Sequence, residues 1–423
     1  IKDIRKKLFF TFCMMVVIRM GCQLPVPGVN RNYFSQWFAQ NSNDAFNFFS
    51  AFTGGSFEKM SIFALSITPY ITSSIIIQLL TIAIPALEEM QRDGEEGRKK
   101  MTAITRYVTV GLALFESIAM AIGFGRQGMI PNLNFFKGVV VVACLTVGSA
   151  MLMWLGERIT ERGIGNGISL IIMIGIIARL PQAFMAEVLS KAGSTTGGIL
   201  LLIVEFVILF FVFVAAIALV QAVRKVPVQY ANRVIGNKQY GGVRQYIPLK
   251  VNASGVMPII FAQAIMLFPI IFSRFDATRG FAAAMSNYTG FWYNLVFGFL
   301  VIVFTYFYTA VTFQPNMMAE DMKKNGGFIP GVKPGKKTME YLDTIMTRIV
   351  LPGSIFLAII AVLPAIATLC GVNNQFASFY GGTSLLILVG VVLDTLQQVE
   401  SHLLMRHYDG LMKTGRLTGR SGM

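Results

Sequence analysis

Ten times between Leu8 and Glu400 the sequence turns apolar for close to the length that crosses a bilayer. That repetition constrains the fold more than any other feature. A hydrocarbon core about 30 Å thick takes roughly 20 apolar residues as helix. In lipid every backbone group must be bonded internally, which leaves helices or closed barrels. An outer-membrane barrel would show short alternating segments, and these are absent. We place spans at 8–24, 61–84, 106–124, 138–155, 168–188, 199–223, 255–272, 291–313, 349–369 and 383–400. Of the 423 residues 54% are hydrophobic and 13% charged, which excludes a soluble multi-domain protein. The expected class is an all-α polytopic membrane protein.

Ten spans put the connections alternately on two sides, and the basic residues distinguish them. On the side of the N-terminus lie 27 of the 36 Lys and Arg, against 8 on the other side and Arg19 within the first span. The positive-inside rule then places both termini in the cytoplasm. Lys2, Arg5, Lys6 and Lys7 precede the first apolar run, and no small-residue cleavage site follows it, so it reads as an anchor and not a signal peptide. Two cytoplasmic connections exceed what topology requires. Residues 224–250 and 314–348 are basic, rich in Gly and Pro, and interleaved with aromatics. Turn signals at Gly241-Gly242, Gly326-Gly327 and Pro334-Gly335 predict projecting hairpins. Long ordered loops are usually functional, and a basic aromatic surface suits either ribosomal RNA or an acidic partner protein.

The stretch from Phe46 to Leu80 is different in kind. Phe46–Phe57 is apolar but too short to span, and Gly54-Gly55 breaks it. The following span carries Pro69 and a Ser/Thr run, so we expect a short re-entrant helix and then a kinked span lining a cavity. Pro258 in span seven is followed two residues later by Ile260, as Pro69 is by Ile71. Two kinked helices of opposite direction, one in each set of five spans, suggest an inverted repeat.

Among the charges within spans are Arg19, Glu116, Glu205 and Asp394. Each costs roughly 2.5–3.5 kcal/mol on insertion scales and should face protein or water. Arg19 can snorkel to the headgroups; Asp394 and Glu205 sit near span ends; Glu116 is mid-span and needs a partner, with Gln78 and Asn252 as candidates. Four cysteines (Cys13, Cys22, Cys144, Cys370) have no metal or redox spacing, and two histidines near the C-terminus argue against a metal site. No HExxH and no GxxxxGK[ST] occurs, so neither a metalloprotease nor a P-loop nucleotide site is expected. An inverted-repeat secondary transporter of a small solute is the alternative, although such proteins concentrate polar groups at a midplane that here looks aliphatic.

The runs FTGGSFEKMSIFAL, TPYITSSIIIQLL, MWLGERITERGIGNGISLII, PLKVNASGVMPIIFA, FIPGVKPGKKT and FYGGTSLLILVGVVLD closely resemble the SecY family of bacterial protein-export channels, in order along nearly the whole chain. The resemblance implies ten helices in two inverted five-helix halves, 1–190 and 191–423, around a central hourglass pore with a short re-entrant plug helix at 45–59. It implies a passive channel of the bacterial plasma membrane for unfolded preproteins, opening sideways to release signal peptides and hydrophobic segments into the phospholipid bilayer. No cofactor and no enzymatic activity are implied. The partners would be SecE-like and SecG-like small membrane subunits, the SecA motor ATPase and the ribosome.

Carried over residue by residue, the resemblance assigns a pore ring to Ile67, Ile71, Ile168, Ile172, Ile260 and Ile387. Its plug falls on Phe46, Phe48, Phe49, Phe52, Gly54 and Gly55, and its lateral-gate polar cluster on Gln78, Glu116 and Asn252. Motor and ribosome docking falls on Arg224, Lys225, Arg233, Lys238, Arg244, Lys323, Lys324, Lys333, Lys336 and Lys337. Lys333 stands where many relatives carry Arg, which keeps the charge without the planar donor fork.

Overall fold

The computed structural model describes residues 2–40, 57, 59–126, 128, 130–193, 197–231, 233–240, 244–255, 257–266, 275–287 and 289–414. Its elements in order are α1 (Lys2–Gly21), α2 (Arg31–Gln40), α3 (Thr68–Ala83), α4 (Pro85–Arg92), α5 (Glu95–Arg126), α6 (Phe135–Arg162), α7 (Gly167–Ala192) and α8 (Gly198–Gln221). Four strands follow, β1 (Val223–Tyr230), β2 (Arg233–Ile235), β3 (Lys238–Tyr240) and β4 (Gln245–Lys250). Then come α9 (Met257–Met266), α10 (Arg279–Ser286), α11 (Phe291–Thr312), α12 (Pro315–Lys324), β5 (Gly327–Phe328), α13 (Lys336–Leu369), α14 (Asn374–Ala377) and α15 (Gly382–Thr414).

A helix occupies each of the ten expected spans. Among the described residues seven helices are long and apolar enough to cross a bilayer, and the bent pair α3–α4, turned through 103°, makes up to eight. The other two expected spans fall on α1, which carries charge at both ends, and on α9, which is described only as far as Met266. Several helices outrun the spans. α5 starts at Glu95, α13 at Lys336, and α15 continues to Thr414, because a helix ends where its backbone bonding ends and not where lipid does.

Two compact units make up the chain: Ile1–Pro181 with Val391–Met423, and Gln182–Gly390. In the first, α5 packs between α3 and α6 through a buried column of Thr105, Thr109, Ala113, Ser117 and Ala121, four residues apart. Lipid tails are as apolar as leucine, so helices associate in a membrane by close packing and by hydroxyl bonds. Both occur here. Ser73 donates to the Thr105 carbonyl at 3.0 Å, Thr146 to the Ser117 hydroxyl at 3.3 Å, and Ser149 to the Ser66 carbonyl at 3.2 Å.

Span two does not begin as a helix. Residues 61–67 form buried turns, with Met60 and Ser66 at positive φ (45° and 51°). Such irregular backbone survives at depth because protein and not lipid surrounds it. Residues 24–26 stitch it down: Ile62 N–H donates to Leu24 O at 3.0 Å, and Val26 N–H to Met60 O at 3.1 Å. Pro69 accordingly sits in the first turn of α3, where its missing N–H costs nothing, and Pro258 likewise opens the described part of α9. The expected proline kinks are helix starts. True interior prolines occur elsewhere, at Pro181 in α7 and at Pro352 and Pro364 in α13.

In the second unit the two long basic connections are a small domain, not free hairpins. β1 pairs antiparallel with β4 from Val223↔Lys250 to Val228↔Gln245, and its far end pairs with β5 at Gln229↔Phe328. Val226 and Val228 alternate inward and meet Leu249, Met322, Ile329 and Leu342, which ties the sheet to α12 and α13. A separate β2–β3 pair forms the tip.

Candidate functional site

Four of the six pore-ring isoleucines lie in the first unit. Ile67 is the residue before α3 and is buried, and its carbonyl accepts the Ile71 N–H at 3.1 Å, so the pair stands one above the other on the first turn. Ile71 is half-buried. Ile168 and Ile172, also half-buried, occupy the first two turns of α7. Ile168 lies over Gly156 of α6, where a Cβ would come within 3.1 Å of its Cγ1. The remaining two lie in the second unit: Ile260 on α9, half-buried, and Ile387 on α15, buried.

The turn from α6 into α7 is the GERITERGIGNGIS segment, and the structure shows what its glycines do. Gly165 takes a φ of 83°, the region a side chain disfavours. Three side chains accept from the backbone donors of the turn. Thr11 of α1 accepts from Ile164 N–H at 3.2 Å, Gln398 of α15 from Gly165 N–H at 2.8 Å, and Thr160 from Gly167 N–H at 2.9 Å. Thr160 also donates to the Gly156 carbonyl at 3.0 Å. The motif thus fixes how α7, with Ile168 and Ile172, leaves α6.

The plug positions Phe46, Phe48, Phe49, Phe52, Gly54 and Gly55 lie outside the described residues. Phe57, just beyond them, is buried in an aromatic cluster, 5.7 Å from Phe34, 6.0 Å from Phe38 and 6.3 Å from Phe124. Sequence reasoning missed this cluster. The signal was available in Phe34, Trp37 and Phe38, which share one face of α2.

Of the gate cluster, Gln78 on α3 is largely exposed and Glu116 on α5 half-buried, both in the first unit. Asn252 is half-buried in the turn between β4 and α9, in the second unit. Arg19 borders a small cavity lined with Ser66, Leu152 and Ile171. Glu205 has a partner, Lys191, at 3.2 Å. A further pair went unforeseen, the fork of Arg106 on both oxygens of Glu157 (2.9 and 2.8 Å), which joins α5 to α6.

Nine of the ten docking cations are exposed on the small domain; the Arg233 side chain lies outside the description. Arg224 and Lys225 are on β1, Arg233 and Lys238 on the tip, Arg244 just before β4, and Lys323 and Lys324 in the last turn of α12. Lys333 is in a turn whose Gly331 and Gly335 take φ of 83° and 99°, closed by Thr338 donating to the Lys333 carbonyl at 2.9 Å. Lys336 and Lys337 are not on a loop, as the sequence suggested; they are the first residues of α13.

Stacked apolar helices, hydroxyl-bonded packing and buried irregular backbone define an all-α polytopic membrane protein with a basic extramembrane domain. The SecY family model matches residues 61–396. A protein translocase subunit SecY of Corynebacterium glutamicum is 41% identical over 97% of this chain and 98% of its own length. The chain belongs to the SecY family. Among solved structures, one reported for the role of the SecY plug domain in the closed translocation channel covers 97% of this chain and 94% of its own, with a TM-score of 0.60 and 18% identity. Sec61 in a canine ribosome-channel complex covers 98% and 95%, with a TM-score of 0.55 and 15% identity. At those identities the likeness is one of fold.

Proposed function

We propose that the chain is the central pore subunit of a protein translocase: a passive, gated conduit that passes unfolded preproteins across the bacterial plasma membrane. The observation that carries this reading is the 41% identity with a SecY translocase subunit along both chains nearly end to end. The two sets of five spans act as inverted halves, 1–190 and 191–423, with both termini cytoplasmic. Ile67, Ile71, Ile168, Ile172, Ile260 and Ile387 form the constriction. Aliphatic side chains suit it physically, because they yield around varied chains, grip none of them, and dewet when the pore is empty. Residues 45–59 stopper it at rest, with Phe57 seated among the rings of α2 and α5.

Gln78, Glu116 and Asn252 form a polar seam that holds until a segment of about 20 apolar residues competes for lipid. The chain supplies no energy of its own; a SecA-like ATPase or a translating ribosome docks on the basic small domain. Two features favour a docking role for Lys336 and Lys337 over topology alone. They sit at a helix N-terminus, where a cation costs about 0.3–1 kcal/mol against the dipole, and among the described residues no ion pair engages them. SecE-like and SecG-like subunits complete the assembly.

The test is purified protein in liposomes with SecA, ATP and an unfolded preprotein. Protease-protected uptake is the expected result. Solute exchange without protein uptake would instead favour the transporter.

A further inference from the structure

A buried ionic cluster in the second unit takes no part in the reading above. Glu187 and Lys191 lie one turn apart near the end of α7, and Glu205 faces them from α8. Glu187 is fully buried, and Glu205 is 8% exposed. Lys191 Nζ pairs with Glu205 Oε1 at 3.2 Å and donates to the Gly371 carbonyl at 3.1 Å. Glu187 Oε2 accepts the Asn373 N–H at 2.9 Å. The Tyr380 hydroxyl donates to the Glu205 carbonyl at 2.8 Å. Phe376 packs against Phe206 of α8 with ring centres 5.8 Å apart. Residues 371–380 are therefore fastened to α7 and α8 through these groups.

Two oxygens are left over. Glu187 Oε1 and Glu205 Oε2 are both fully buried, and neither has a donor among the described residues. Both carboxyl groups are tied to the same short segment, Glu187 through the Asn373 N–H and Glu205 through Lys191, whose ammonium also donates to the Gly371 carbonyl. Two ionised carboxylates here would place two negative charges against one ammonium away from water. One proton between them turns the repulsion into a hydrogen bond and leaves one negative charge opposite Lys191. The adjacent Tyr380 does not supply that proton. Burial and the neighbouring carboxylates raise the pKa of its hydroxyl, which stays a donor to the Glu205 carbonyl.

We propose that Glu187 and Glu205 form a proton-binding site that holds one shared proton, and that this proton keeps residues 371–380 fastened to α7 and α8. The titratable groups at the site are Glu187 and Lys191 from α7, Glu205 from α8 and Tyr380 from the 3-10 turn Ser378–Tyr380. That turn leads through Gly381 directly into α15, so the proton fixes where α15 begins. Loss of the proton leaves two anions facing one cation, and the fastening fails. The proposal does not depend on what the chain transports.

Infrared spectra of the full-length protein in nanodiscs, in water and in deuterium oxide, test it directly. A carboxylic-acid C=O band that shifts with deuterium is expected in the wild type, and it should vanish in both Glu187→Gln and Glu205→Gln. Melting gives a second reading. In Glu205→Gln the introduced amide would take the place of the shared proton, donating to Glu187 while still accepting from Lys191. This variant should therefore melt within about 2 °C of the wild type. The double variant Glu187→Gln/Glu205→Gln strands the ammonium and should melt far lower. A wild-type spectrum whose acid band survives in either single variant would overturn the proposal. So would a Glu205→Gln melting loss as large as that of the double variant.

Discussion

Gly167→Ala should damage this protein more than any other single methyl group added at the α6–α7 turn. A Cβ at Gly167 would stand 2.8 Å from the Gly156 carbonyl carbon and 2.9 Å from Ile159 Cβ, with the Gly156 oxygen nearer still. Carbon atoms pack at about 3.5–4.0 Å, so α7 must retreat by roughly 1 Å. The obstacle is backbone, which cannot rotate aside. Retreat stretches the 2.9 Å bond from Gly167 N–H to Thr160 and lifts Ile168 from Gly156. Overpacking of this kind costs about 1–3 kcal/mol, and a weakened buried hydrogen bond adds about 1 kcal/mol. A loss of about 3 kcal/mol lowers melting by roughly 6–12 °C in a cooperative unit of about 150–250 residues. Gly111→Ala on α5 is the control, since nothing lies within 4 Å of its Cβ, and alanine's helix propensity makes it neutral or stabilising. Detergent-solubilised protein followed by scanning fluorimetry gives both values. If Gly167→Ala melts together with Gly111→Ala, the close approach of α6 and α7 is not what these glycines serve, and the reasoning fails.

Other residues make sharper tests of function. Lys336→Glu/Lys337→Glu should weaken motor or ribosome docking in a salt-matched binding assay while raising stability slightly, by about 0.3–1 kcal/mol per charge at the α13 N-terminus; equal affinity would return both lysines to a topological role. Ile387→Asn wets the proposed constriction and should let a signal-defective substrate through, and secretion held at background would take Ile387 off the ring. Deleting residues 45–59 should make the resting channel leak small ions in planar bilayers; unchanged conductance would remove the plug assignment. Thr11→Val leaves the Ile164 N–H without its acceptor and should cost about 1–3 kcal/mol, which is read as a lower melting temperature with hydroxyl-retaining Thr11→Ser as the rescue.

Hydropathy located the seven long apolar helices and the bent pair because burial in lipid needs only local composition, and a window of about 20 residues records it. The same signal misplaced helix ends. Charged extensions such as Glu95–Lys100 and Lys336–Glu340 are as helical as the apolar turns beside them, and hydropathy is blind to hydrogen bonding. Pro69 shows a different limit. A proline inside a helix and one at its first turn look alike in sequence, and the buried turn at 61–67 alone makes this one a start. The turn signals made residues 224–250 legible as a hairpin, yet Val226 and Val228 pack on Leu249, Met322, Ile329 and Leu342, the last more than a hundred residues further along the chain.

What the chain determined by itself, then, is its class, its long apolar helices and, through its motifs, its family. Each of these depends on residues near one another in sequence. Tertiary structure alone decided which polar groups find partners: Glu205 with Lys191, Gly165 with Gln398, Ile164 with Thr11. A buried polar group is satisfied by whatever donor or acceptor folding brings within about 3 Å, and separation along the chain carries no record of that distance.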